Sequence, residues 1–367
     1  MTRLVTAVDS AADRMKAAGL GFPLIIGVLS RLYSSSLILA AATFNVRNPP
    51  LLGAQKSPFV AWDGQWYLDI AAHGYHAYAM QPGPHGGHHD FAFYPGWPSV
   101  IRAVSLTRLP PVVAAVVAAN VLFLCAVVVV FLVLRGEFGG DVARRGVLLL
   151  AFSPAAYVMS MAYSEPLFLL LSGSYFLLRR SKSSPLLAAA TMLTRVSGLA
   201  IGASAAVAWL RDRRDWRAFA SACAVALSFA GWWVYLWWLT GKRTAWLEGS
   251  ASWESSFGPG AILYAFQHLA WASIVKVTVI GTVAIAGITL LRRRLELGVY
   301  SIVALGLSLI GAPVTSMPRH ATVAFPAFGA VGEKLGHRGT LILAVVFGAL
   351  QVWFVWLSFA GQATAAP

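Results

Sequence analysis

Long apolar stretches separated by short basic clusters set the pattern of the chain. Runs of roughly 17 to 25 apolar residues are long enough, as helices, to cross the hydrocarbon core of a bilayer. They fall at 23–43, 111–134, 146–162, 165–178, 218–239, 271–291, 297–314 and 339–360. Two others are less regular: 186–209 is interrupted at Thr194–Gly198 ("TRVSG"), and 320–332 is short. The pattern predicts an all-α polytopic integral membrane protein of about 9–11 transmembrane helices with broken or re-entrant segments. It forms a single domain over 1–367, with a large first outer loop at about 44–110 and a second at about 240–270. No internal repeat or low-complexity tract interrupts it.

Composition agrees, with 58% hydrophobic and 11% charged residues and a mean hydropathy of +0.69. An ordinary soluble domain has about twice that share of charge. The net charge of +14 would suggest nucleic acid in a soluble protein. Here the cations sit between spans, at Arg14 and Lys16, Arg135 with Arg144 and Arg145, Arg179 to Lys182, Arg211 to Arg217, Arg292 to Arg294, and Lys334 with Arg338. That is the positive-inside distribution of a membrane protein, so these clusters are assigned to the cytoplasm and nucleic acid is excluded as a partner. Cys125 and Cys223 lie inside apolar runs and read as packing residues. The run starting near Pro23 lacks a convincing small-residue cleavage site and predicts a retained first span.

Both flanks of 186–209 are basic, so this stretch must enter the membrane and return as two half-helices joined at Arg195. Non-helical backbone at such depth is tolerated only where protein buries it or where it lines a wet cavity. The assignment brings Asp63, Glu165, Arg195, Glu254 and Arg319 from five separate segments to the extracytoplasmic face. The plainer alternative is that outer loops simply carry some polar residues.

"AWDGQWYLDIAAHGY" (61–75) concentrates polar and aromatic side chains. A helix would align Trp62, Trp66, Asp69 and His73 on one stripe and Asp63, Tyr67, Ile70 and Gly74 on the next. Asp63 and Asp69 then point about 120° apart and make no close carboxylate pair. An interfacial helix anchored by Trp and Tyr explains the aromatics but not an Asp at the boundary. In "HGGHHDFAFYPGWP" (85–98), His85, His88, His89 and Asp90 have metal-ligand side chains at a spacing that matches no strong signature. A solvated loop is the plainer reading there, followed by a turn that Pro95 and Pro98 keep from continuing as a helix.

Glu165 and Arg195 lie in apolar contexts, where an ionisable group is a functional candidate by default or half of a structural pair. Arg319 and His320 open a short helix, and the planar fork of Arg suits a phosphate. Arg31, inside the first span, reads as a snorkelling or headgroup-binding side chain. The second loop offers Lys242, Arg243, Trp246, Glu248, Trp253 and Glu254, an aromatic and acidic set that suits sugar rings and equally suits interfacial anchoring.

"FVAWDGQWYLDIAAHGY", "FAFYPGWP", "AYSEPLF", "LTRVSGL" and "PRHATVAFPAF", in that order over Phe59–Phe328, resemble the PIG-V-type mannosyltransferases. Those belong to the GT-C class of multispanning glycosyltransferases. The resemblance implies a GT-C-like fold, a polyprenyl-phosphate sugar donor, mannose as the sugar, and transfer on the extracytoplasmic side. It carries the family's first-loop Asp onto Asp63, its Ser-Glu turn onto Glu165, and its Thr-Arg-x-x-Gly element onto Arg195 and Gly198. The chain departs from the pattern at "FYPGWP", where a second Phe and an aliphatic residue are commoner, and in the His- and Gly-rich stretch from Met80 to His89.

The expected chemistry is inverting transfer to a lipid or glycan acceptor. Asp63 would act as general base and Glu165 would orient an arginine or the acceptor. Arg195, Arg319, His320 and Lys242 would bind the donor phosphate. Trp62, Trp66, Tyr67, Asp69, His73, Tyr94, Trp253 and Glu254 are the substrate- and acceptor-side candidates. No cofactor is assigned, and a divalent metal at His88, His89 and Asp90 is the one left open. The expected setting is the cytoplasmic membrane of a bacterium. The rival reading is a transporter or lipid flippase, which also uses broken helices and embedded charges but favours repeats and midplane ionisable residues. A catalytically dead scaffold of the cell envelope is the third.

Overall fold

The computed structural model describes residues 19–44, 57–81, 87–251, 271–311 and 317–359. Among them the chain is helical, with one isolated bridge between Gln81 and His88. Helices α1 (Gly21–Phe44), α2 (Asp63–His73), α3 (Gly96–Ser105), α4 (Pro111–Phe138) and α5 (Gly140–Ala151) are followed by α6 (Glu165–Leu178), α7 (Ser184–Met192) and α8 (Leu199–Arg211). Then come α9 (Trp216–Thr240), α10 (Ala245–Ala251), α11 (Trp271–Arg293), α12 (Leu295–Gly311), α13 (Met317–Thr322) and α14 (Phe325–Phe359).

Local chemistry explains most boundaries. Proline opens α4, α6 and α7 at the first turn, where its missing N–H costs no helical bond. The Asp215 carboxylate caps α9 by accepting from the amides of Arg217 and Ala218 at 3.1 and 3.2 Å, and Gly241 ends the helix in the left-handed region. Among the described residues five helices, α1, α4, α9, α11 and α14, are long and apolar enough to cross a membrane. Three further apolar helices, within α6, α8 and α12, are shorter.

Among the described residues some apolar runs break, as the expectation of broken segments allowed. The run 146–162 was expected as one span. Instead α5 stops at Ala151, before Pro154, and the chain continues as a short 3-10 helix, Ala156–Ser160, buried throughout. Proline cannot donate into the helix and clashes with its preceding turn. The runs 320–332 and 339–360 stay apart: within α14 two helical arms meet at a kink at Gly336, whose φ of 64° and ψ of −168° break the helical geometry. The stretch 186–209 forms two half-helices, α7 and α8, as its flanking charges implied.

Small residues set the tightest packing, as expected where apolar helices meet without a hydrophobic gain over lipid. A methyl at Gly146 would stand 3.1 Å from the Gly329 backbone, so α5 and α14 meet nearly backbone to backbone. At the opposite, basic ends, Arg179 pairs with Glu137 at 3.1 Å and Glu296 at 3.5 Å, and Arg294 with Glu333 at 3.6 Å, tying α6, α4, α12 and α14 together.

Candidate active site

Three breaks in helical structure meet at one point. The first precedes α2: Pro58–Val60 forms a 3-10 turn, and Trp62 takes φ 55°, ψ −116°. A bulky residue with positive φ is strained, and that strain delivers Asp63 as the first residue of α2, where a carboxylate also meets the positive end of the helix dipole. The second break is the buried segment Ala155–Ser164, which ends by presenting Glu165 at the start of α6. The third is the gap between α7 and α8, which holds Arg195 in extended backbone. Gly198 makes that gap possible, since a Cβ there would lie 2.4 Å from Met192 Cα.

The turn "FAFYPGWP" docks onto the third break. The amide of Gly96 donates to Leu193 O at 2.7 Å, and a Cβ at Gly96 would lie 2.9 Å from that same oxygen. A backbone bond joins the other two breaks, the Ala162 amide donating to Phe59 O at 2.8 Å, and the indole Nε1 of Trp97, on α3, donates to Ala162 O at 3.0 Å.

The side chains form one charge network. Arg319 Nη2, on α13, lies 2.6 Å from Asp63 Oδ2, and its Nε lies 3.5 Å from Glu165 Oε1. Arg195 Nη1 donates to Glu165 Oε1 at 2.7 Å and to Ser164 Oγ at 2.9 Å. Glu165 is fully buried, while Arg195 and Arg319 are 9% and 8% exposed. Tyr67 OH lies 2.8 Å from Ser164 Oγ, and Tyr163 OH donates to Ala61 O at 3.2 Å beneath the Arg319 guanidinium. Burial raises the Tyr67 phenol above its ordinary range, so it stays protonated.

Arg195 Nη2 can only donate, so His320 Nδ1 at 2.9 Å accepts. Burial, then Arg195, then Arg319 hold His320 well below the ordinary histidine value. Its neutral ring therefore carries the proton on Nε2. Two carboxylates, two guanidiniums and one neutral imidazole sum to no net charge. Unused donors remain: Arg319 Nη1 and Arg195 Nε are buried without a hydrogen-bond partner, as is the acceptor Glu165 Oε2. Buried orphans of this kind suit an incoming anion.

Other sequence candidates go elsewhere. Asp69 pairs with His73 at 2.9 Å and lies 3.7 Å from His76, away from Asp63 on the helix. Trp66 is buried and stacked on Phe93, and Trp62 packs edge-on against Phe359, so both act as walls. Tyr94 accepts from Trp246 Nε1 at 3.0 Å and is buried against Trp232, which makes it a link between the turn before α3 and α10. Lys242 does not reach the arginines: its ammonium pairs with Glu248 at 3.2 Å in the exposed turn after α9, where that carboxylate is nearer. Trp253 and Glu254 lie outside the described residues.

The proposed metal set is not assembled either. Asp90 turns inward to His76, accepting from its amide at 3.0 Å and facing its Nδ1 at 3.1 Å, while His89 stacks on Phe91. Burial pushes Asp90 up and the bonds from His76 oppose it. Among the described residues no group of three His, Cys, Asp or Glu side chains is placed to hold a metal ion. Ser164 and Tyr163 were missed as site residues. Being uncharged, they carried no depth signal, although both lie in the quoted block "AYSEPLF".

Comparison with known proteins supplies the class. Residues 51–209 match the mannosyltransferase (PIG-V) family, less than half of the chain but including Asp63, Glu165, Arg195 and Gly198. The structure of ArnT from Cupriavidus metallidurans bound to undecaprenyl phosphate is similar with a TM-score of 0.51 at 15% identity, over 90% of this chain and 69% of ArnT. The Archaeoglobus fulgidus oligosaccharyltransferase tethered to an acceptor peptide aligns with a TM-score of 0.47 at 11% identity, over 94% of this chain. This chain spans 55% of that enzyme's length. No curated protein matches in sequence. The chain is thus a multi-pass membrane protein whose fold is like that of ArnT. Residues 51–209 are similar to the PIG-V mannosyltransferase family over that stretch alone.

Proposed function

We propose that this chain is a glycosyltransferase that moves a mannosyl residue from a polyprenyl-phosphate donor to a hydroxyl of a lipid or glycan acceptor. Transfer occurs at the extracytoplasmic face of a bacterial cytoplasmic membrane, with inversion. The observation that carries the reading is the Asp63–Arg319–Glu165–Arg195–His320 network, which pairs a base candidate with two guanidiniums and draws Asp63, Glu165 and Arg195 from the family-matched residues 51–209. ArnT, bound to undecaprenyl phosphate, supports a polyprenyl phosphate as the lipid carrier.

The step needs one base and one leaving-group site. Asp63 takes the acceptor hydroxyl proton as that oxygen bonds to the anomeric carbon. The bond from this carbon to the donor phosphate breaks, and the phosphate leaves with the electron pair. Arg319, Arg195 and the Nε2–H of His320 stabilise the charge gathering on it, an arrangement worth most in a dry site. A single displacement converts a β-linked donor into an α-glycoside. Asp63 is bonded to Arg319 Nη2, so a phosphate that takes both arms of that guanidinium, Nη2 together with the unbonded Nη1, displaces the carboxylate. Donor binding thereby releases the base.

Arg31 and Lys276 are buried inside spans, as a transporter or flippase would also allow, but five ionisable residues bond to one another at a single point, which favours a reaction site. The test is incubation of purified protein with radiolabelled polyprenyl-phosphate mannose and a panel of lipid and glycan acceptors. Transfer by wild type, lost in Asp63→Ala, is expected. No transfer by wild type across the panel, or full transfer by the variant, rejects the reading.

A further inference from the structure

Arg31 lies ten residues into α1, a helix long and apolar enough to span the membrane. The expectation that it snorkels is not met, because it is 5% exposed. Nor does any carboxylate approach it within ion-pair distance among the described residues. Its planar face lies 4.1 Å from the Phe123 ring centroid, a cation–π contact that offsets part of the cost of burial. A buried, unpaired charge at such depth is costly, and a helix packing on its neighbours does not need one.

The guanidinium is directed at the break that carries the site. Nη1 donates to Ala156 O at 2.8 Å and to Ser160 Oγ at 3.0 Å. Both lie in the 3-10 segment Ala156–Ser160, which begins just after Pro154 has ended the helical ladder and leads directly into Tyr163, Ser164 and Glu165. Buried carbonyls outside an α-helix need outside donors. Asn120 Nδ2, from α4, makes a longer bond to Ser160 O at 3.4 Å. Past this point the same strand of backbone holds the Asp63 loop, through the Ala162 amide on Phe59 O and Tyr163 OH on Ala61 O.

We infer that Arg31 is a positioning residue for the reaction: from within the first span it fixes the non-helical segment 155–165 and thereby sets Glu165 and Asp63 against the two arginines. The inference rests on the proposed glycosyl transfer. Arg31 touches no reacting group, so its loss acts on the geometry of the step and not on the phosphate contacts.

Two readouts on the full-length protein in nanodiscs test it. In Arg31→Met, which keeps the bulk and removes the donors, kcat for mannosyl transfer is expected to fall by about 10- to 100-fold with donor KM changed by less than about twofold. Arg31→Lys, whose ammonium can reach one of the two acceptors, restores part of kcat. Hydrogen–deuterium exchange of Arg31→Met is expected to rise in peptides covering 155–165 and 57–63 and to stay at the wild-type rate in the α9 and α11 peptides. Unchanged exchange in 155–165 overturns the inference even if wild type transfers no mannose, an outcome that separately rejects the functional reading. Faster exchange with unchanged kcat, or a uniform rise across all helices with no rescue by Lys, also overturns it by showing a purely structural residue.

Discussion

Asp63→Asn separates two roles that a simple loss-of-function variant would merge. The substitution keeps the shape of the side chain and removes its charge, so the acceptor loses its base while Arg319 loses its principal partner at 2.6 Å. General-base catalysis contributes about 10²- to 10⁴-fold, so kcat should fall by that factor. Donor affinity should move the other way. A hydrogen bond to a charged group is worth about 1.5–3 kcal/mol net, and the neutral Asn oxygen, which can still accept from Arg319 Nη2, gives that arm up to the donor phosphate more readily. With about 1.4 kcal/mol per tenfold in affinity, the variant should bind the donor roughly 10- to 100-fold more tightly. Arg319 keeps Glu165 at 3.5 Å, and Asp63 is partly solvated, which argues for the lower end of that range. The assay is paired: initial rates of labelled mannose transfer, and equilibrium binding of undecaprenyl phosphate. Donor binding equal to or weaker than wild type would refute the competition between Asp63 and phosphate, and wild-type turnover would refute the base.

Three further outcomes follow from the same geometry. Glu165→Gln leaves two buried guanidiniums sharing a single carboxylate, and breaking a buried pair costs about 3–5 kcal/mol, so the variant should melt well below wild type in a thermal-shift measurement; an unchanged Tm contradicts the network. Gly198→Ala places a methyl 2.4 Å from Met192 Cα and should abolish transfer or folded expression, whereas Gly231→Ala, with open space at its Cβ, should not. For His320 the folded value lies below the unfolded one near 6.5, so below about pH 6.5 the unfolded chain takes up a proton that the folded chain refuses. Stability should therefore fall as the pH is lowered, by up to about 1.4 kcal/mol per unit, until the folded value is reached. His320→Gln should flatten the Tm profile between pH 7 and pH 5, and an identical slope in the variant would remove His320 as the cause.

Apolar run length and the placement of basic residues were enough to identify a helical membrane protein, to find most of its long helices, and to require that 186–209 turn back at Arg195. These are local properties: a bilayer sets a minimum length, and charge at span ends sets direction. The separation of Asp63 from Asp69 was likewise legible, being a matter of helical repeat. What no local pattern contained was partnership. That Asp63 meets Arg319, 256 positions away, depends on α13 packing beside the break at 155–165. Lys242 and Arg319 look alike in sequence, as cations near outer loops, yet one pairs with an exposed neighbour and the other is buried among carboxylates. Arg31 looked like a surface-seeking side chain because its acceptors, Ala156 and Ser160, belong to an apolar run read as one helix. Pro154 ends that helix, and the carbonyls it leaves unbonded become the partners of distant donors. Hydrophobic length placed the segments in the membrane, and only the packing of their interrupted ends decided which charges face each other.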